Sequence, residues 1–258
     1  MSKELRVALI QAPLIWENPD ANLSYFSEKI EALRAEVDLV VLPEMFTTGF
    51  TMTPHHLNEN EGSKGLKWML SMAKQKEIAL VGSIAFFEKG TYANRLFFVL
   101  PNGDYSYYDK RHTFTLAGED KVYMAGRKKL IVDYKGFKIC PLICYDLRFP
   151  VWARNVEDYD LVLYVANWPE PRVAAWDTLL KARAIENMAY CIGVNRVGID
   201  ESGHAYVGHS AVYDPLGEQL VFSEKETVLY ATLSIERIAQ TREKLKFLND
   251  RDSFTVQE

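Results

Sequence analysis

A chain of 258 residues that is 48% hydrophobic can bury a large core, and a single domain over residues 1–258 is the expectation at this length. Its net charge of −5, with no basic stripe along any segment, excludes nucleic acid as a natural partner. Three cysteines are too few for a disulfide framework and fit a reducing cytoplasm, and no run has the length of a signal-peptide core or a membrane span.

In chain order, residues 6–11 read as a short buried strand closed by Pro13. Asn18, Asp20 and Asn22 open a helix whose apolar positions (Leu23, Phe26, Ile30, Leu33) recur at helical spacing. Residues 38–42 form an apolar strand that ends at Pro43 and Glu44, and 65–76 a second amphipathic helix. Residues 78–87 and 92–100 are strands around a Lys89-Gly90 turn, and the Pro-Asn-Gly-Asp turn at 101–104 folds 105–109 back onto the second of them. Residues 111–126 lack periodicity, and loops of that length in compact domains are usually functional. Strands at 130–133 and 137–143 flank a glycine turn, and 161–166 is again wholly apolar. Residues 172–188 are helical, with Trp176, Leu179, Leu180, Ala184 and Met188 on the buried face. Strands at 190–197, 211–213, 219–222 and 228–233 follow. A last helix starts near Ser234, and the tail from Phe247 has no core pattern. There is no linker and no visible repeat. Wholly apolar strands belong to sheets covered on both faces, so the predicted fold is α/β: two mixed β-sheets packed together with helices outside, a four-layer α-β-β-α sandwich.

Residues 138–150, KICPLICYDLRFP, are the segment richest in chemistry. A buried strand that stops at Cys144 and turns presents the thiol beside free backbone N–H groups, conditions that lower a cysteine pKa. Burial in the core is the commoner fate of a free cysteine, and this segment alone favours it. Two other reactive groups stand in equivalent places, however. Glu44 follows LVVLP and Lys110 follows YSYYD. Ligands in α/β proteins bind beyond the carboxyl ends of strands, so neighbouring strands would bring together a base, an oxyanion stabiliser and a nucleophile, the set needed for acyl transfer.

PEMF at 43–46, YDKRHTF at 108–114 and LICYDLRFP at 142–150 resemble, in order and spacing, the three characteristic segments of the nitrilase (carbon–nitrogen hydrolase) superfamily. GEDKVYMAG at 118–126, YVANWP at 164–169, residues 181–198 and GHSAVYDPLGE at 208–218 extend the resemblance, which runs from Val7 to about Ile235 and is greatest for the bacterial omega-amidase branch. It implies an α-β-β-α sandwich whose Glu44, Lys110 and Cys144 cleave a non-peptide carbon–nitrogen bond without metal or other cofactor. It also implies a second glutamate, Glu119, orienting Lys110, and an oxyanion hole made by Lys110 and the Tyr145 N–H. The expected substrates are small-molecule 2-oxo dicarboxylic acid monoamides. A homodimer is expected as well, joined through residues 150–155, the 172–188 helix and the tail from about 247, with Trp152 and Trp176 as anchors.

Arg148 is a candidate clamp for a substrate carboxylate, although pairing with Asp146 or Glu186 to brace the turn is weighted slightly higher. Trp168 and Phe114 are candidates to wall the pocket, with ordinary packing as the alternative. Asn167 and Asn195 are expected to bond loop backbone, and Cys140 and Cys191 to pack in the core. The five histidines lack metal-ligand spacing with acidic partners. His112 lies close to Lys110 and offers a cysteine–histidine reading, but Glu44 already supplies a base, so His112→Ala should leave substantial activity where Glu44→Gln abolishes it. Rival readings are another amidase or a nitrilase, a non-catalytic ligand-binding relative, and a metal-dependent phosphodiesterase inhibited by EDTA.

Overall fold

A computed structural model of the protein describes residues 4–34 and 36–256. Its first half runs β1 (Glu4–Gln11), α1 (Pro19–Glu31), β2 (Leu39–Val41), α2 (Glu61–Lys76), β3 (Ala79–Glu88), β4 (Thr91–Val99) and β5 (Tyr105–Asp109). The second half runs β6 (Val132–Tyr134), β7 (Phe137–Ile143), α3 (Pro150–Ala153), β8 (Leu161–Ala166), α4 (Val173–Asn187), β9 (Tyr190–Asn195), β10 (Val197–Ile199), β11 (Ala205–Val207), β12 (Ser210–Tyr213), β13 (Gln219–Ser223), β14 (Thr227–Ser234) and α5 (Ile235–Leu245). No helix among the described residues is long and apolar enough to cross a membrane.

The strands form two six-stranded mixed sheets, ordered β14-β1-β2-β3-β4-β5 and β13-β12-β9-β8-β7-β6. Within them β1-β2-β3 and β7-β8-β9 run parallel, and the flanking pairs are antiparallel. Both sheets thus follow one plan that no sequence repeat reveals. Successive side chains of a strand point to opposite faces, and the core divides accordingly. Leu5, Val7 and Leu9 join Leu39, Val41, Val81 and Phe98 in the layer against the second sheet. Ala8, Ile10, Val40, Leu80 and Phe97 face Phe26 and Ile30 of α1 and Met69 and Met72 of α2. On the far side α4 lies so close to β9 that a Cβ on Gly193 would sit 2.4 Å from Leu180 Cδ1. This is the expected α-β-β-α sandwich.

The differences from the sequence expectation have local causes. Helix α2 starts at Glu61, a turn before Gly65, because glycines disguise its first turn. Gly62 is needed there, since a Cβ would lie 3.0 Å from the Ala85 carbonyl oxygen. The strand expected through Val197 stops at Asn195. Beyond it β10 and β11 pair as a separate hairpin, and Pro150–Ala153 adds a short helix. Trp152 and Trp176 are no surface anchors: they are 7% and 0% exposed. Their indole N–H groups donate to Tyr108 Oη and the His209 carbonyl. The tail makes one turn, Phe247–Asp250, and Arg251 ties it to the Asn155 carbonyl and Asp158 of its own chain, while its last two residues lie outside the described residues.

Candidate active site

Since β3, β4 and β5 alternate in direction, β5 runs the same way as β2, and their carboxyl ends share one edge of the first sheet. Glu44 and Lys110 leave from that edge, and Asn94, near the start of the intervening antiparallel β4, lies beside them. Lys110 is fixed along its backbone: its N–H donates to the Asn94 carbonyl and its carbonyl accepts from Gly126 N–H, at 3.0 and 2.8 Å. Residue 126 must be glycine for this closure, as a Cβ would fall 2.0 Å from the Asp109 carbonyl oxygen. Cys144 comes from the second sheet, one residue past β7, at φ +42°. A left-handed backbone costs a residue with a side chain about 1–3 kcal/mol, and such outliers concentrate at functional sites. A tight helical turn over Cys144–Arg148 follows, and the N–H of Tyr145 lies in its first turn, where amides have no intrahelical acceptor.

The two sheets meet around the Lys110 ammonium, which is 1% exposed. It donates to Glu44 Oε1 at 2.8 Å and to Glu119 Oε2 at 2.8 Å. Asn94 Nδ2 bridges the same carboxylates, 2.8 Å from Glu44 and 3.0 Å from Glu119. The second oxygen of Glu44 accepts from the N–H of Asn167, just past β8, at 2.8 Å, and Glu119 Oε2 accepts from Phe114 N–H at 2.6 Å. Burial alone would lower the Lys110 pKa, but the charges of Glu119 and Glu44 outweigh it and hold the ammonium above the ordinary lysine value. For Glu119, burial and the neighbouring Glu44 outweigh Lys110 and raise the carboxyl.

Cys144, 9% exposed, stands within hydrogen-bonding reach of Glu44. Burial first, then the Glu44 charge, push the thiol well above its ordinary pKa, and Lys110 only partly opposes them. The expectation of a thiol acidified by the turn is therefore corrected. It is protonated at rest and needs a base, which Glu44 is placed to be. Cys140 and Cys191 are fully buried in the core.

A cavity of about 460 Å³ opens over the thiol. Phe114, Tyr145, Arg148 and Trp168 line it, together with Arg172 at the mouth of α4. Arg148 does not brace the turn. Asp146 is taken by Tyr108, His112 and the Ile143 N–H, and Glu186 by Arg183. The Arg148 guanidinium instead lies over Trp168, 4.9 Å from its ring centre, and Arg172 lies over Phe114 at 5.1 Å. Neither forms an ion pair among the described residues. Asn167 grips the Glu44 backbone carbonyl as well as its carboxylate, and Asn195 holds Trp168 N–H and carbonyl, both loop-bracing roles. Sequence reasoning missed Arg172, Asn94 and the β10–β11 hairpin, which brings Asp200, Ser202, His204 and Tyr206 to the cavity. The Ser202-Gly203 turn between short alternating runs was its available signal.

A carboxylate–ammonium–thiol cluster at the meeting edge of two such sheets belongs to enzymes that cleave carbon–nitrogen bonds through a cysteine. The sequence profile of that family, Carbon-nitrogen hydrolase, matches residues 6–243, and the chain belongs to it. The omega-amidase YafV of Yersinia enterocolitica is 44% identical over 254 residues, 98% of each chain. The 2-oxoglutaramate amidase of Bacillus subtilis (strain 168) is 29% identical over 250 residues, 95% of this chain and 96% of that one. The crystal structure of XC1258 from Xanthomonas campestris, a CN-hydrolase superfamily protein with an arsenic adduct in its active site, matches with a TM-score of 0.95 at 41% identity, covering 98% and 99%.

Proposed function

We propose that the enzyme is an omega-amidase that hydrolyses the terminal amide of 2-oxo dicarboxylic acid monoamides, such as 2-oxoglutaramate and 2-oxosuccinamate, to the dicarboxylate and ammonia. The observation that carries this reading is the pair Arg148 and Arg172, two guanidinium groups on the wall of the cavity that holds the thiol, neither in an ion pair among the described residues. A substrate with an amide at one end and a carboxylate at the other suits such a cavity. Trp168 and Phe114 hold the guanidinium planes, and the fork of Arg matches a carboxylate.

In the proposed reaction Glu44 takes the Cys144 proton as sulfur attacks the amide carbon. The oxyanion is held by the Tyr145 N–H and by the Lys110 ammonium, which also donates to Glu44 and to both oxygens of Glu119. Glu44 then returns the proton to the leaving nitrogen, so ammonia departs rather than an amide anion. Water, deprotonated by Glu44, attacks the thioester. The collapsing intermediate expels the thiolate, which takes back the proton held by Glu44, and releases the new carboxylic acid, which ionises in solvent to the carboxylate. Glu119 keeps the ammonium aimed.

Ammonia release from a panel of small amides tests the assignment; turnover confined to nitriles or N-carbamoyl compounds overturns it. Arg172→Met and Arg148→Met should each raise KM for a carboxylate-bearing amide roughly 10–100-fold, the worth of a hydrogen bond to a charged group. A neutral amide of similar length should be almost unaffected. Equal losses on both substrates would remove the carboxylate-clamp role. The non-catalytic alternative predicts no ammonia from any amide even though iodoacetamide labels Cys144.

A cytoplasmic homodimer completes the proposal. Its support is the exposed Val151, Ile185, Leu216 and Phe254 around α3 and the end of α4, a setting more apolar than a solvated face requires. Light scattering of Val151→Asp against the unsubstituted protein tests it.

A further inference from the structure

The reacting groups come from different sheets, Glu44 and Lys110 from the first and Cys144 from the second, and one fully buried carboxylate spans the gap beneath them. Asp146 lies two residues past the nucleophile and is 0% exposed. Its Oδ2 accepts from Tyr108 Oη at 2.8 Å and from the Ile143 N–H at 3.0 Å. Its Oδ1 accepts from the His112 N–H at 3.0 Å and lies 2.8 Å from His112 Nδ1. Tyr108 Oη accepts in turn from the Arg111 N–H at 3.1 Å and the Trp152 indole N–H at 3.0 Å. The His112 ring lies flat on Phe149, 3.7 Å between centres and 4° between planes.

Tyr108 and His112 stand two residues either side of Lys110, and Ile143 and Asp146 stand either side of Cys144. The ammonium and the thiol are therefore each bracketed in sequence by groups tied to one carboxylate. None of Tyr108, His112 and Asp146 lines the cavity, so their effect on the reaction must pass through the residues they hold.

We propose that Asp146, with Tyr108 and His112, is a positioning unit that sets the distance between the Lys110 ammonium and the Cys144 sulfur and keeps the nucleophile in its left-handed conformation. This rests on Lys110 and Cys144 being the reacting pair. With the Ile143 N–H anchored on Oδ2, the turn enters Cys144 along one path only. With Tyr108 on the same oxygen, that path is referred to the strand that delivers the lysine. The ring of His112 is the least essential member, because its backbone N–H makes the other bond and survives substitution of the side chain.

The test uses Tyr108→Phe, which removes one oxygen and no packing volume, and Asp146→Asn, each in the full chain. The deciding measurement is the second-order rate of Cys144 alkylation by iodoacetamide, followed by mass spectrometry on protein shown to be folded by thermal melting. Misplacement of a reacting atom by about 1 Å can cost ~10²-fold. On that scale Tyr108→Phe is expected to slow alkylation roughly 5-fold or more and to lower kcat by about 10-fold, with KM nearly unchanged. A brace that serves the fold alone predicts a lower melting temperature with the wild-type alkylation rate, and that result overturns the proposal. If Asp146→Asn does not fold, Tyr108→Phe decides by itself. Alkylation needs no substrate, so a wrong amide assignment leaves this comparison intact.

Discussion

Glu44→Gln is expected to lower kcat by about 10²–10⁴-fold, the range for loss of a general acid–base group, while the protein stays folded. The size of the effect follows from the state of the nucleophile. The thiol is held well above its ordinary pKa by burial and by Glu44 itself, so no thiolate waits in the resting enzyme and its proton must pass to a base as attack occurs. Glutamine cannot take that proton. It also cannot satisfy the site, because one Glu44 oxygen accepts from Lys110 and Asn94 and the other from the Asn167 N–H, so a carboxamide NH₂ meets a donor in either orientation. Residual turnover should climb with pH, since the thiol then loses its proton to hydroxide. Steady-state ammonia release across pH, with circular dichroism as the check on folding, measures both effects. Activity within tenfold of the unsubstituted enzyme would remove Glu44 from the role of base.

Lys110→Met should cost about 10²–10³ in kcat through loss of an oxyanion donor. It should also destabilise the fold by roughly 3–5 kcal/mol, because it strands the buried Glu44 and Glu119 carboxylates without their shared cation. The sign of the pH dependence is fixed by Glu119, already raised by burial and Glu44 and restrained chiefly by Lys110. An acid whose folded pKa lies above its unfolded value binds its proton more tightly when folded. The folded variant therefore gains on the unfolded chain as pH falls through that range, and the deficit should be largest at neutral pH and narrow in acid. Urea melts of both proteins at neutral and acid pH measure the difference. A constant deficit would mean that the carboxylates do not feel the lysine.

Much of this architecture was readable from residue order. Leu161–Ala166 is wholly apolar, and Phe137–Ile143 apolar but for the exposed Lys138 at its start, because both faces of their sheet are covered, and the bounds expected from sequence are the observed ones. Glu44, Lys110 and Cys144 are legible in sequence because each stands just past the end of an expected strand. Asn94 is inconspicuous in sequence because it sits beside Arg95 in a strand that is otherwise mostly aromatic and aliphatic; only the buried carboxylates it bridges give it meaning. The direction of the cysteine shift is hidden in sequence for a related reason. The turn is local and visible in sequence, whereas desolvation and the approach of Glu44 arise only when a second sheet closes over it. In sequence Arg172 is merely the start of a helix, since nothing in the order of residues says that Phe114 lies beneath it.

One oxygen of Glu119 receives both the Lys110 ammonium and the backbone of Phe114, an aromatic wall of the substrate chamber. The shape of that wall and the charge state of the machinery are thereby welded together, so drift in the 111–126 segment toward a bulkier amide would disturb the chemistry at once. The hairpin of β10 and β11 carries no such burden. Asp200 gathers Tyr206 Oη and the N–H groups of Ser202 and His204 within the hairpin itself. Substitutions within residues 197–207 should therefore shift the preference among amides with a smaller loss of kcat than substitutions within 111–126.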